Sequence, residues 1–257
     1  MQPVLFLSHG SPMLALEDIP AHDFLRELGP KLDRPDAIVM ASAHWETAVP
    51  TINAVASNDT IHDFYGFPPA LFALTYPAPG SPDLAGRVAD LLGDAGLRAS
   101  IDAQRGLDHG AWVPLLLMWP EHDIPVVQLS IQSSLGPGHH VQLGKAINAL
   151  RQENILVVAS GSFTHNLRSL HRSGTAAEPE WVTRFADWMH EAILAKRTCD
   201  LVSYRRLAPF AVEAHPTDEH LLPLFVAIGA AGEGAVPTRI HQSTDLGTLR
   251  MDSYRFD

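Results

Sequence analysis

The sequence predicts an α/β protein: a single three-layer α/β/α domain spanning residues 1–257, with helices on both faces of a central, mostly parallel sheet. Three observations predict it. Continuous apolar runs of strand length alternate with segments of helical period. Most of these runs stop at turns marked by Gly, Pro, Ser or Asp. Nothing along the chain reads as an internal repeat, a low-complexity tract or a linker, which argues for one domain.

Val4 to Leu7 is an uninterrupted apolar run, the mark of a strand buried on both faces. It ends at Ser8-His9-Gly10-Ser11-Pro12. Pro20 to Leu28 reads as a short helix stopped by Gly29-Pro30. Ala37 to Ala43 is a second strand, ending at His44-Trp45, and Ile52 to Ala56 a further one. Residues 61–82 are dense in aromatics and prolines and read as an ordered loop with one helical turn near Leu71. Leu84, Val88, Leu91 and Leu92 give Pro82 to Ala95 a helical period, with Ser81 as cap and Pro82 in the first turn. Leu97 to Ile101 is a short strand, and Ala111 to Met118 a core helix after the loop Gly106–Gly110. Strand Pro125 to Ile131, helix Gly138 to Leu150 and strand Ile155 to Ser160 follow. Glu180 to Lys196 is a long helix, and residues 214–230 a turn and a further helix. The tail from Thr238 to Phe256 reads as strands about a turn at Gly247.

The net charge of −11 disfavours nucleic acid and anionic lipid as partners. The single cysteine, Cys199, allows no intrachain disulfide and suits a reducing compartment, so a cytoplasmic location is expected. No signal peptide is read at the N-terminus, and no apolar run approaches the ~20 residues of a membrane span. Fourteen histidines against that one cysteine mean that any bound metal must be held by imidazole and carboxylate.

Three strands deliver histidines at their ends: His9, His44 and, after Ser160, His165. Adjacent strands lie ~5 Å apart, so parallel neighbours would let these imidazoles converge at the sheet edge where ligands bind. A divalent cation is an efficient partner for buried imidazoles. Ser8, Ser11 and Asn166 are the nearby candidates to fix their tautomers. In HPTDEHLLPL, His215 and His220 are five apart and Pro216 intervenes. A zinc-protease helix needs two histidines four apart, so that reading fails. One of the two is expected to point inward, and His220 is favoured because it leads an apolar run; Glu219 is the competing ligand. His109 lies just before a helix, where imidazole stays neutral, which suits a hydrogen-bond or acid/base role; a satisfied loop residue is the competing reading. His139 and His140 open a helix and read as solvated. His22, His62, His122, His171, His190 and His241 read as ordinary. Phe64, Tyr65 and Phe67 could wall a pocket for an aromatic substrate. No phosphate loop, GxGxxG or GxSxG elbow is present.

In order along the chain, LFLSHGSPM, ASAHW, IHDFYGFPPALF, TYPAPGSP, LDHGAWVPL, ASGSFTHNLR and HPTDEHLLPL form a pattern. Through them the sequence resembles the class III extradiol ring-cleaving dioxygenases, in particular the DOPA-dioxygenase-type subfamily, from Leu5 to about Leu224. The resemblance implies one non-haem divalent metal, Fe(II) for catalysis with Zn(II) the other possible occupant. It implies His9, His44 and His220 as ligands, and His165 as a fourth ligand or the catalytic base. The wider family uses two histidines and a glutamate, so Glu219 and His220 both stand for the last position. The resemblance further implies a catechol-type substrate and O2, a muconic semialdehyde-type product, and His109 steadying or protonating an anionic oxygen. Trp112 joins the pocket walls. A zinc-dependent hydrolase on the same scaffold and a non-catalytic binding protein are the alternatives. A monomer or a homodimer is expected.

Overall fold

Val4–Ser8 (β1) is buried along its whole length, as its unbroken apolar sequence requires. Val4 and Phe6 face one hydrophobic cluster, Leu5 and Leu7 the other. The structure, a computed structural model, describes residues 1–171 and 177–257. After β1 come α1 (Pro20–Lys31), β2 (Ala37–Glu46), β3 (Thr51–Asn53), α2 (Pro69–Phe72), α3 (Pro82–Asp94), β4 (Ser100–Asp102), α4 (His109–Met118) and β5 (Val126–Ile131). Next are α5 (Gly136–Ile147), β6 (Ile155–Gly161), α6 (Glu180–Leu194), α7 (Thr198–Val202), α8 (Tyr204–Leu207), α9 (Ala211–Ala214) and α10 (Leu222–Ala231). The chain closes with β7 (Pro237–His241), β8 (Thr244–Asp245), β9 (Leu249–Arg250) and β10 (Ser253–Phe256).

The main sheet has eight strands in the order β4-β3-β5-β2-β6-β1-β10-β7. Its centre, β5-β2-β6-β1, is parallel throughout. β10 and β7 add an antiparallel edge, and β3 runs antiparallel to β5. Helices α1 and α4 belong to one apolar layer, and α3, α5, α6 and α10 to the other. This is the mixed α/β architecture expected. Among the described residues no helix is long and apolar enough to cross a membrane.

Some boundaries differ from the sequence expectation. α1 continues through Gly29-Pro30 to Lys31, because a proline in a closing turn costs only one intrahelical bond. β2 runs past His44 to Glu46, since Trp45 is buried and Glu46 rejoins β5 opposite Ile131. The Ser81 cap on α3 is as expected: its hydroxyl accepts from Leu84 N.

His140 corrects the reading of it as solvated, for it is wholly buried. Its Nδ1 donates to Gly136 O at 2.7 Å, and its Nε2 accepts from Gln132 N at 3.1 Å, so the fold uses the neutral ring. Burial lowers its pKa from 6.5 to about 4. The unfolded chain therefore binds a proton that the native state refuses between these values. The contribution is fully present above the unfolded pKa and is lost as pH falls through this window, by about 3 kcal/mol at most. Thermal melts of wild type and His140→Asn between pH 7 and pH 4 are expected to show the shallower loss of Tm in the variant.

Candidate active site

The register of the parallel strands brings the histidines together. Leu7 of β1 and Ser42 of β2 both pair with Ser160 of the central strand β6. His9 and His44 each lie two residues further on, at the same level and on the same face. Ser160, small enough to leave space between them, holds His9: His9 Nδ1 and Ser160 Oγ are 2.9 Å apart. His220 arrives from the other layer, just before α10. Ser162 N donates to His220 O at 2.8 Å, which pins this segment across the end of β6. Gly161 permits that approach, as a Cβ there would stand 2.1 Å from His220 O.

His44 Nε2 lies 3.0 Å from His9 Nε2 and 3.2 Å from His220 Nε2. The partners on the far side of each ring decide the protonation. Ser160 Oγ donates to Gly110 O, so it accepts from His9 Nδ1. His220 Nδ1 is 2.9 Å from Glu219 Oε1, and His44 Nδ1 is 3.6 Å from Asp63 Oδ2. An ionised carboxylate only accepts, which places hydrogen on Nδ1 of His220, and the nearby charge of Asp63 favours the same form of His44, so that three Nε2 lone pairs aim at one another. Lone pairs at such distances repel unless a cation lies between them, so the donor set fits a divalent metal. His9 and His220 have pKa values well below 6.5, first through burial and then through neighbouring imidazoles. His44 is lowered to about 4, also chiefly by burial. All three are thus neutral, the form that ligates.

His165 lies flat on His220, with ring centroids 3.4 Å apart and planes within 13°. Its nitrogens are outside the converging set of three. Burial lowers its pKa to about 4, leaving it neutral and able to accept a proton. His109 opens α4 and packs on His44, with centroids 3.9 Å apart. Asp108 caps that helix and, fully buried, accepts from Ser42 Oγ at 2.6 Å and from Gln128 Nε2 and Arg105. This network fixes the start of α4 against β2 and β5. A Cβ on Gly110 would sit 2.5 Å from Ser42 Oγ, 3.0 Å from His44 Cδ2 and 3.2 Å from His9 Cε1. Gly110→Ala is therefore expected to displace both rings and weaken metal binding roughly 10–100-fold, as loss of ligand support typically does. Competition against a chromophoric chelator measures this, with Gly86→Ala, which meets nothing within 4 Å, as the control.

Asp63 is the residue sequence reasoning missed. Its Oδ1 accepts from both the backbone N and Nδ1 of His109, each at 3.0 Å. Burial, the largest single influence, would raise its pKa, but the side-chain and backbone hydrogen bonds from His109, together with the charge interactions with His109 and His44, lower it to about 2. The signal was present in IHDF, a carboxylate beside a histidine in an aromatic loop. Ser8, Ser11 and Asn166 do not support the histidine rings. Ser8 Oγ donates to Asp252 O, Ser11 caps a short turn at Met13 N, and Asn166 ties Arg168 N to Glu213 O. His215 is also buried, contrary to expectation, but its Nε2 lies 3.0 Å from Phe163 O, outside the cluster.

The aromatic loop divides. Phe64 packs against Phe67 and the edge of His109. Trp112 is fully buried behind Phe64, its Nε1 donating to Ile61 O. Tyr65 is 92% exposed, so its ring forms no wall in this structure. His62 joins aromatic packing with Phe64, Phe72 and Trp112.

The family model for the catalytic LigB subunit of aromatic ring-opening dioxygenase matches residues 3–254. The chain belongs to this family. It is 45% identical over 260 residues to a protein from Beta vulgaris named 4,5-DOPA dioxygenase extradiol, covering 100% of this chain and 97% of the relative. A protein of the same name from Escherichia coli (strain K12) is 41% identical over 254 residues, covering 97% and 92%. The crystal structure of an uncharacterized protein from Escherichia coli K12 superposes with a TM-score of 0.84 at 36% identity, covering 100% of both chains. The enzyme is an extradiol-type aromatic ring-opening dioxygenase, and its histidine cluster suits the metal dependence of LigB dioxygenases.

Proposed function

We propose that this dioxygenase cleaves a DOPA-like catechol beside its two hydroxyls, at a metal held by His9, His44 and His220, with Fe(II) as the catalytic ion. The observation that carries the reading is the convergence of three imidazole Nε2 atoms, with acceptors hydrogen-bonded behind the rings of His9 and His220 and the Asp63 carboxylate near that of His44. When bound, ferrous iron supplies the redox relay between an electron-rich ring and dioxygen, which zinc lacks. Both oxygen atoms end in the product: the ring C–C bond breaks to give a carboxylate and an aldehyde, and no external reductant is consumed.

The protein's own groups manage protons and position. His165 accepts a hydroxyl proton from the catechol, being neutral and adjacent to the cluster. His109, anchored at Nδ1 on Asp63, keeps Nε2 for a substrate oxygen. That nitrogen accepts while the ring is neutral and donates once it is protonated, when Asp63 stabilises the imidazolium. Glu219 serves as the acceptor behind His220 rather than as a ligand, and Thr217 Oγ1 also donates to it. Phe64 and Phe67 flank the aromatic ring of the substrate. The DOPA-like side chain is taken from the names of the relatives.

The test is anaerobic loading with Fe(II), addition of catechols including DOPA, then oxygen. Stoichiometric oxygen uptake with a coloured ring-opened product is expected, and zinc-loaded protein is expected to be inactive. No uptake with any catechol despite bound iron would refute the assignment. Activity with zinc and without oxygen would instead favour a hydrolase.

A further inference from the structure

We infer that Asp63 is a positioning residue that sets the tautomer of His109 by a hydrogen bond and biases that of His44 by its charge, and so links the aromatic loop to the reacting centre. This rests on the function proposed above, which gives these two rings their roles. Asp63 faces the Nδ1 side of both rings: Oδ1 is 3.0 Å from His109 Nδ1, a hydrogen bond, and Oδ2 is 3.6 Å from His44 Nδ1, a charge contact. The rings themselves are tilted 46° to each other, with centroids 3.9 Å apart. One carboxylate thus accepts from the Nδ1–H of His109 and sets its negative charge beside Nδ1 of His44, which favours a lone pair on Nε2 of each ring. For His44 that lone pair joins the converging set. For His109 it is the free nitrogen of a ring that Phe64 meets at its edge.

The connection to the loop is equally direct. Asp63 stands next to Phe64, and its Oδ1 also accepts from the backbone N of His109 in the first turn of α4. That bond crosses 46 residues of sequence. A negative group in this place is favoured by the helix N-terminus as well as by the imidazoles. The carboxylate therefore holds the proposed substrate wall, the substrate-facing imidazole and a ligand ring in one arrangement. A merely structural latch would need only the backbone bond; the Nδ1 contacts are what a tautomer-setting role adds.

The experiment uses full-length, zinc-loaded, 15N-labelled protein, with long-range proton–nitrogen NMR to read imidazole tautomers and chelator competition to read zinc affinity. Wild type is expected to show His109 as the Nδ1–H tautomer. In Asp63→Ala this signature is expected to change to Nε2–H or an average, with zinc bound roughly 10–100-fold more weakly. Asp63→Asn keeps an acceptor for His109 but loses the charge and one acceptor facing His44. It is expected to keep the His109 signature while zinc affinity falls. His109 in the Nε2–H form in wild type, or unchanged in Asp63→Ala, overturns the inference whatever happens to KM. If Asp63→Ala does not fold, unaltered zinc affinity in Asp63→Asn overturns it. These readouts need no catechol turnover, so inactive wild-type protein would count against the proposed reaction and not against the role of Asp63.

Discussion

His44→Ala is expected to leave a folded protein that neither retains a metal nor cleaves a catechol. His44 is the central member of the cluster, with its Nε2 within 3.0 Å of His9 Nε2 and 3.2 Å of His220 Nε2. Its removal leaves two imidazoles without a third donor. Loss of an outer supporting group typically costs 10–100-fold in affinity, so loss of a ligand is expected to cost on the order of 10³ or more. The metal-free proteins should behave differently. In wild type three lone pairs oppose one another, whereas the variant relieves this repulsion. Metal-free His44→Ala should therefore melt no lower than metal-free wild type. Adding Fe(II) or Zn(II) should raise the Tm of wild type through linkage and leave the variant unmoved. Melting curves with and without metal, paired with metal analysis, check both halves. One metal per chain in the variant, together with a metal-dependent rise in Tm, would remove His44 from the ligand set.

The positions of His9 and His44 were legible because strand ends are local: an apolar run and the turn after it already place the imidazole. The alternation of strands and helices likewise gave the parallel centre of the sheet. What supports each ring was not legible. Ser160 lies 151 residues from His9, and Asp63 lies 46 from His109, so these pairings exist only once strand register and helix placement are set. Ser8 and Ser11, near His9 in sequence, turn to the tail and to a local cap because those backbone groups are closer. His140 was misread because an amphipathic pattern does not reveal that Gln132 N, at the end of β5, needs an acceptor. Nor could local sequence say which of Glu219 and His220 has a ligand atom among the converging nitrogens; in the structure it is His220 Nε2. Glu219 meets the Nδ1 side of His220, away from the converging Nε2 atoms.

His165→Ala is expected to separate proton transfer from metal binding. The His165 ring lies on the face of His220, and its Nδ1 stands 3.9 Å from Glu219 Oε1, too far for a hydrogen bond. Its backbone N donates to Ala214 O at 2.8 Å, a bond that alanine retains, so the loop is expected to keep its course. A ring that stacks on the proposed ligand His220 and has no nitrogen in the converging His9–His44–His220 set is expected to add little to metal affinity and to take a proton from a substrate oxygen there. Removing a general base typically costs 10²–10⁴-fold, so kcat should fall by about that factor while KM changes little and one metal per chain is kept. Oxygen uptake under saturating catechol, with metal analysis on the same preparation, makes the measurement. If the variant instead loses its metal as completely as His44→Ala, then His165 is a fourth ligand. The proton must in that case go elsewhere, and His109, with Asp63 behind it, is the remaining imidazole placed to receive it.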